Sequence, residues 1–302
     1  MNLKTTIANI EFKNPVITAS GTFGFGREYN RFYDISMLGG ICTKGLTLLP
    51  REGNNGTRIA ETASGILNCV GLQNPGVDAF IEKEADFLRD LNSVVIANVC
   101  GSTQEDYVAL TKRLNECDFI DMFELNISCP NVKEGGIAFG ICPNSVESIT
   151  KTIKQIATKP LIVKLSPNVA SIADNAKAAE NGGADSISLI NTITGMAINY
   201  KTRKPILGNV TGGLSGPAIK PIALRQVHEA YKAVKIPIIG MGGIMTASDV
   251  AEFLIAGASA VQVGSANIFD PNAAKSIVLG LTGVLKECKV DGVAELIGSL
   301  KP

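Results

Sequence analysis

The chain has 302 residues, 45% of them hydrophobic and 19% charged, with 28 basic side chains balanced by 28 acidic ones. That composition belongs to a packed globular protein and excludes wholesale disorder. Zero formal net charge with no basic block argues against nucleic acid or an anionic membrane as the main partner. No apolar run reaches spanning length and Met1–Pro15 lacks a signal-peptide core, so a soluble cytoplasmic protein is expected.

Short β-branched runs recur along the chain and predict eight strands: Pro15–Ala19, Gly40–Lys44, Val94–Val99, Met122–Asn126, Leu161–Leu165, Ser186–Ile190, Pro237–Met241 and Ala260–Gly264. Apolar residues at helical spacing lie between them, at Asp78–Leu91, Gln104–Cys117, Ser145–Ala157, Ser171–Asn181, Pro217–Ala233 and Thr246–Ala256. Asn272–Lys286 follows the last strand, and a weaker candidate, Glu28–Met37, follows the first. Alternating strand and helix is the signature of a parallel sheet with helical crossovers. Eight such units in one chain predict a single-domain (β/α)8 TIM barrel spanning 1–302. The connections Gly45–Val77 and Asn191–Gly216 are too long for simple crossovers. Both follow predicted strands, so they are expected as long loops on the C-terminal face, where barrels carry their active sites.

The seven cysteines, Cys42, Cys69, Cys100, Cys117, Cys129, Cys142 and Cys288, form no C-x-x-C pair. They write neither a zinc ribbon nor a conventional iron–sulfur ligand set and read as reduced thiols, most of them buried. His228 is the one histidine, on a predicted helix surface, so chemistry needing a His pair or a Ser–His–Asp triad lacks its parts.

The strand ends carry the polar groups. In order they are Ser20-Gly21, Lys44-Gly45, Asn98, then Asn126 with Ser128 and Cys129, then Lys164, Asn191-Thr192, Gly242-Gly243 and Gly264-Ser265. In a barrel these converge on one rim. Glycines after strands seven and eight let backbone N–H groups face an anion without an intervening Cβ, which predicts a phosphate cup for a substrate or a cofactor. Lys44 and Lys164 follow apolar residues inside strands, where an ammonium is costly unless it meets an anion or loses its proton. Each reads as a cationic site, as a Schiff-base lysine, or as an outward lysine reaching water. Cys129, in Ser128-Cys129-Pro130, reads as nucleophile, base or inert thiol.

Asn126-Ile-Ser-Cys-Pro-Asn131 resembles the catalytic segment of class 1 dihydroorotate dehydrogenases. Ala19-Ser-Gly-Thr-Phe-Gly24, Asn68-Cys-Val-Gly-Leu-Gln-Asn-Pro-Gly76, Asn191-Thr-Ile-Thr-Gly-Met196, Thr211-Gly-Gly-Leu-Ser-Gly-Pro217, Pro237-Ile-Ile-Gly-Met-Gly-Gly243 and Val263-Gly-Ser265 fit the same family in the same order. Glu124-Leu-Asn-Ile-Ser-Cys-Pro-Asn-Val-Lys133 looks most like the NAD-linked subclass, 1B.

The resemblance implies oxidation of (S)-dihydroorotate to orotate in pyrimidine synthesis, with one FMN per chain. Cys129 would take the C5 proton while C6 passes a hydride to the flavin. The flavin would be held by Ser20, Lys44, Gly45, Asn98, Asn126, Lys164, Ile190, Gly216, Gly242, Gly243, Gly264 and Ser265, with Lys164 near its N1/C2 region. Orotate contacts would fall on Lys44, Asn68, Cys69, Val70, Gly71, Leu72, Asn126, Asn191 and Thr192. The subclass implies a homodimer core within a heterotetramer, whose other subunit carries FAD and a [2Fe–2S] cluster and passes electrons to NAD+. No metal site, nucleic acid or membrane enters this reading.

Three features depart from the family pattern. Prolines expected near positions 55 and 57 are absent, Cys69 takes a place often held by alanine, and Asn199 stands where aspartate is common. Two rivals belong to other classes: a dihydropyrimidine dehydrogenase, with little use for a carboxylate contact, and an aldolase-type lyase working through Lys164.

Overall fold

In the computed structural model of the chain, residues 1–127 and 136–301 are described. Eight parallel strands close into a barrel: β1 (Val16–Thr18), β2 (Gly40–Cys42), β3 (Val94–Val99), β4 (Met122–Asn126), β5 (Leu161–Lys164), β6 (Ser186–Leu189), β7 (Ile238–Met241) and β8 (Ala260–Val263). Neighbours in sequence are neighbours in the ring, and β8 closes on β1 with Val261 opposite Val16. Every residue of β5, β6, β7 and β8 is buried, as a sheet covered by helices outside and packed side chains inside requires.

The helices fill the outer ring: α1 (Val77–Arg89), α2 (Gln104–Asn115), α3 (Gly136–Ile141), α4 (Pro143–Lys154), α5 (Ile172–Asn181), α6 (Lys220–Ala233), α7 (Ala247–Ala256), α8 (Ala266–Phe269) and α9 (Ala273–Cys288). Each long one buries one apolar stripe; α9 turns Ile277, Val278, Leu281 and Leu285 inward. The start of α7 is set by a reciprocal cap. Thr246 Oγ1 accepts from the Asp249 N–H at 3.2 Å, and the Asp249 carboxylate accepts from the Thr246 N–H at 2.8 Å. Thr246→Ala is expected to cost about 1 kcal/mol of stability, read as a lowered denaturation midpoint with the fold unchanged. Among the described residues no helix is long and apolar enough to cross a membrane.

The helix expected at Glu28–Met37 does not form. Two short 3-10 turns stand there, Tyr29–Arg31 and Ile35–Met37. The Asn30 side chain takes the Ile35 N–H and the Asp34 side chain takes the Ser36 N–H, so local side-chain acceptors displace the helical ladder. Nor is His228 a free surface residue: it is half-buried on α6 with Nδ1 enclosed and lacking a hydrogen-bond partner. Four cysteines, Cys42, Cys69, Cys100 and Cys117, are buried, while Cys142 and Cys288 are exposed.

Two features go beyond the sequence expectation. The antiparallel pair Thr5–Ile7 and Ile10–Phe12 turns through Ala8 and Asn9, both at positive φ. Its Ile7 and Phe12 pack with Ile17, Cys42, Ile96, Met122, Ile162 and Ile239 to plug the barrel floor.

The two long excursions are not independent loops. Ile193–Met196, Thr211–Ser215, Gly65–Asn68 and Ile59–Thr62 pair in that order into one four-stranded antiparallel sheet, with Leu214 opposite Leu67. Ala60, Leu67, Cys69 and Leu207 form a small core of their own. In place of the missing prolines, the Asn54 amide donates to the Cys69 carbonyl and the Gly208 N–H to the Thr57 carbonyl, each at 2.9 Å. Asn199 accepts from the Lys201 and Thr202 N–H groups, a turn an aspartate would close equally well.

Candidate active site

The C-terminal strand ends and the four-stranded sheet enclose a cavity. Its lining includes Ser20, Lys44, Gly45, Asn98, Asn126, Lys164, Ile190, Gly242, Gly243, Gly264 and Ser265, and on the excursions Asn68, Val70, Gly71, Leu72, Asn191 and Thr192. Two expected residues are not part of that lining. Cys69 is fully buried and its thiol turns toward the Thr57 carbonyl, 3.5 Å away, because alternation along the strand points it opposite to Asn68. Gly216 adjoins the glycine cup, its carbonyl oxygen packed against Gly243. Cys129 lies outside the described residues.

The cup is built by backbone geometry. Gly242 and Gly243 sit at φ +126° and +75°, where L side chains are strained. A Cβ on Gly243 would stand 2.8 Å from the Gly216 carbonyl oxygen and 2.9 Å from the Lys220 nitrogen. The strand-seven turn is therefore closed to any side chain. Across it, Gly264 and Ser265 line the cavity just beyond the end of β8.

At the other end the site is amide-rich and cationic. The Lys44 ammonium lies over Gly21, 3.8 Å from where a Cβ on that glycine would be. The Asn126 amide donates to Asn98 Oδ1 at 3.2 Å, and the Asn98 amide donates to Glu124 Oε1 at 2.6 Å. Tyr107 donates its hydroxyl to the Asn126 carbonyl at 2.8 Å, which pins the end of β4. Asn68 donates to the Gly213 carbonyl at 3.3 Å, bracing its side chain across two strands of the excursion sheet.

Beneath the rim lies a residue the sequence reading passed over. Glu124 is fully buried inside the barrel. Its Oε2 accepts from Ser188 at 2.9 Å and from Gln262 at 2.6 Å, and its Oε1 lies 3.7 Å from the Lys164 ammonium. The Cys42 thiol donates to Oε1 at 3.3 Å, and burial together with this carboxylate pushes that thiol well above its ordinary range. The signal was present: within Met122–Asn126, Glu124 shares the inward face with Asn126 by strand alternation. Gln262 also lines the cavity, and its Oε1 is buried with no partner in the protein.

The match to known proteins follows this geometry. The family model described as dihydroorotate dehydrogenase matches residues 2–285. The chain belongs to the dihydroorotate dehydrogenase family. Among relatives of this family, the "Dihydroorotate dehydrogenase B (NAD(+)), catalytic subunit" of Alkaliphilus metalliredigens is 55% identical over 300 residues, 99% of each chain. The protein of the same name from Thermoanaerobacter pseudethanolicus is 54% identical over 301 residues, 100% of this chain and 99% of that one. The dihydroorotate dehydrogenase of Eimeria tenella, solved in complex with ferulenol, superposes with a TM-score of 0.84 at 24% identity, covering 99% of this chain and 88% of that one. That likeness shows the shared barrel fold.

Proposed function

We propose that this chain is the catalytic subunit of an NAD+-linked dihydroorotate dehydrogenase, oxidising (S)-dihydroorotate to orotate in pyrimidine biosynthesis. The carrying observation is that one cavity joins a glycine cup to a cluster of amides and lysines, in a chain more than half identical over its full length to catalytic subunits of that name.

The residues fit one FMN. Gly242, Gly243, Gly264 and Ser265 offer backbone N–H groups to its phosphate, with Gly216 packed against Gly243. The orphaned Gln262 Oε1 is an acceptor waiting for a ring N–H. Ser20, Gly45, Asn98 and Ile190 line the remainder, and Lys164 supplies positive charge to a ring that gains electrons. When bound, FMN supplies the hydride acceptor for C6 of the substrate.

The protein's own groups do the rest. Asn68, Asn126, Asn191 and Thr192 present paired donors and acceptors to the edges of a dihydropyrimidine ring, and Lys44 meets its carboxylate. Val70, Gly71 and Leu72 wall the substrate side, while Cys69 supports that wall from behind. Cys129 takes the C5 proton. Lys164, ion-paired to Glu124, is poorly suited to Schiff-base chemistry, which needs a free amine lone pair.

The relatives' designation as catalytic subunits supports a partner. We take it to carry FAD and [2Fe–2S], on a homodimer of this chain, in the cytoplasm. Acid release of the bound flavin is expected to yield FMN at one per chain, and NAD+ reduction by dihydroorotate is expected only when the partner subunit is added. A chain that takes up no FMN on reconstitution would overturn the reading. Gly243→Ala, which places a methyl against Gly216 and Lys220, is expected to weaken FMN binding at least tenfold in a fluorescence titration.

A further inference from the structure

Glu124 is more elaborately held than a structural role needs. It is fully buried at the centre of the barrel, and its partners come from five other strands or their ends: Cys42 on β2, Asn98 on β3, Lys164 on β5, Ser188 on β6 and Gln262 on β8. Burying a carboxylate with an ammonium seldom stabilises a fold more than apolar side chains of the same volume, so stability alone gives no reason for it. Its neighbours point to another reason. Oε1, 2.6 Å from the Asn98 amide and 3.7 Å from the Lys164 ammonium, fixes two cavity-lining side chains at once. Through Asn98 it also orients Asn126, whose amide bonds Asn98 Oδ1 at 3.2 Å.

We propose that Glu124 is a positioning residue that sets the reduction potential of the flavin, by tethering the Lys164 ammonium and offsetting part of its charge. The proposal rests on the reading of the cavity as a flavin site. Lys164 is held between two anchors, Glu124 below and the Ser20 hydroxyl, 3.5 Å away, toward the rim. In the poorly screened barrel interior the carboxylate subtracts from the field that the ammonium presents to the cavity. Reduction adds negative charge to the ring. Lys164 without its counter-charge would therefore favour the reduced form, and Glu124 keeps the flavin able to pass its electrons onward.

Glu124→Gln removes the charge while keeping the shape. Its amide oxygen can take the place of Oε1 and keep the Asn98 bond. Its amide nitrogen then faces Ser188, whose hydroxyl can rotate to accept, while Gln262 keeps its Oε1 toward the cavity. With FMN bound, the ratio of reduced to oxidised flavin at a fixed solution potential is expected to rise at least tenfold, a shift of about 30 mV for a two-electron couple. Ser188→Ala removes a neutral donor and leaves the charge, and is expected to move the ratio less than threefold. A Glu124→Gln potential within threefold of wild type would overturn the proposal. Should that variant fail to fold or to hold FMN, Glu124→Asp decides: it draws the carboxylate back from Lys164 by one methylene and is expected to shift the ratio the same way by at least threefold, and no shift would overturn the proposal. A wild-type protein that takes up no FMN would overturn the functional reading and this proposal with it, whereas a loaded wild type with unshifted variants overturns the proposal alone.

Discussion

Cys129→Ser is expected to keep its FMN and lose at least 100-fold in turnover near neutral pH. The cavity explains why one thiol matters so much. Its described lining contains no histidine and no carboxylate; the titratable side chains there are Lys44 and Lys164. Glu124 lies below, engaged by four neutral donors, and His228 sits on the outer helix α6. In the proposed mechanism proton removal from C5 is assigned to Cys129, three residues beyond Asn126, and nothing in the described lining competes with it for that role. A thiol of ordinary acidity, with a pKa of about 8.5, is a few per cent thiolate at neutrality, whereas a serine hydroxyl is essentially un-ionised. General base catalysis is worth roughly 100- to 10,000-fold, which sets the scale of the loss. Stopped-flow flavin reduction under anaerobic conditions measures it. The residual rate of the variant should climb with pH beyond the point where the wild type levels off. Unchanged turnover at neutral pH would remove Cys129 from the mechanism.

Lys164→Met carries the second large effect, on stability as well as chemistry. The ammonium is 5% exposed at its side chain and its partner Glu124 is fully buried, so removing it strands a carboxylate in the barrel interior. Breaking a buried pair on one side costs about 3 kcal/mol. Adding Glu124→Gln to Lys164→Met should recover most of that loss, since the stranded charge disappears with it, and a double-mutant cycle by chemical denaturation reads the coupling. Both forms should reduce slowly with dihydroorotate, because the charge that supports the reduced ring is missing. If the single and double variants are equally stable, the pair is not coupled as the geometry requires.

The barrel was legible because its signal is local. Each strand is a short apolar run buried on both faces, and each long helix carries an apolar stripe, so eight strands alternating with such helices leave few other folds. The rim was legible for the same reason: residues at or just beyond the C-terminal ends of strands sit at the mouth, and Ser20, Asn98, Asn191 and the glycine pairs line the cavity there. What escaped depends on distant partners. Leu67 and Leu214 sit opposite each other across the excursion sheet, and nothing near either residue announces the other. Glu124 escaped because its role comes from side chains on five strands, though alternation with Asn126 was available to place it inward. Cys69 was assigned to the substrate with its neighbours, and the same alternation turns its thiol away. The helix expected after β1 failed because Asn30 and Asp34 capture backbone donors that a helix would have used.

The central claim, that this cavity holds a flavin reduced by dihydroorotate, is tested most directly by the anaerobic visible spectrum of the purified chain before and after dihydroorotate is added. The predicted result is a flavin band that bleaches on addition, with no partner subunit present. A band that ignores dihydroorotate, or no band at all after reconstitution with FMN, would contradict it.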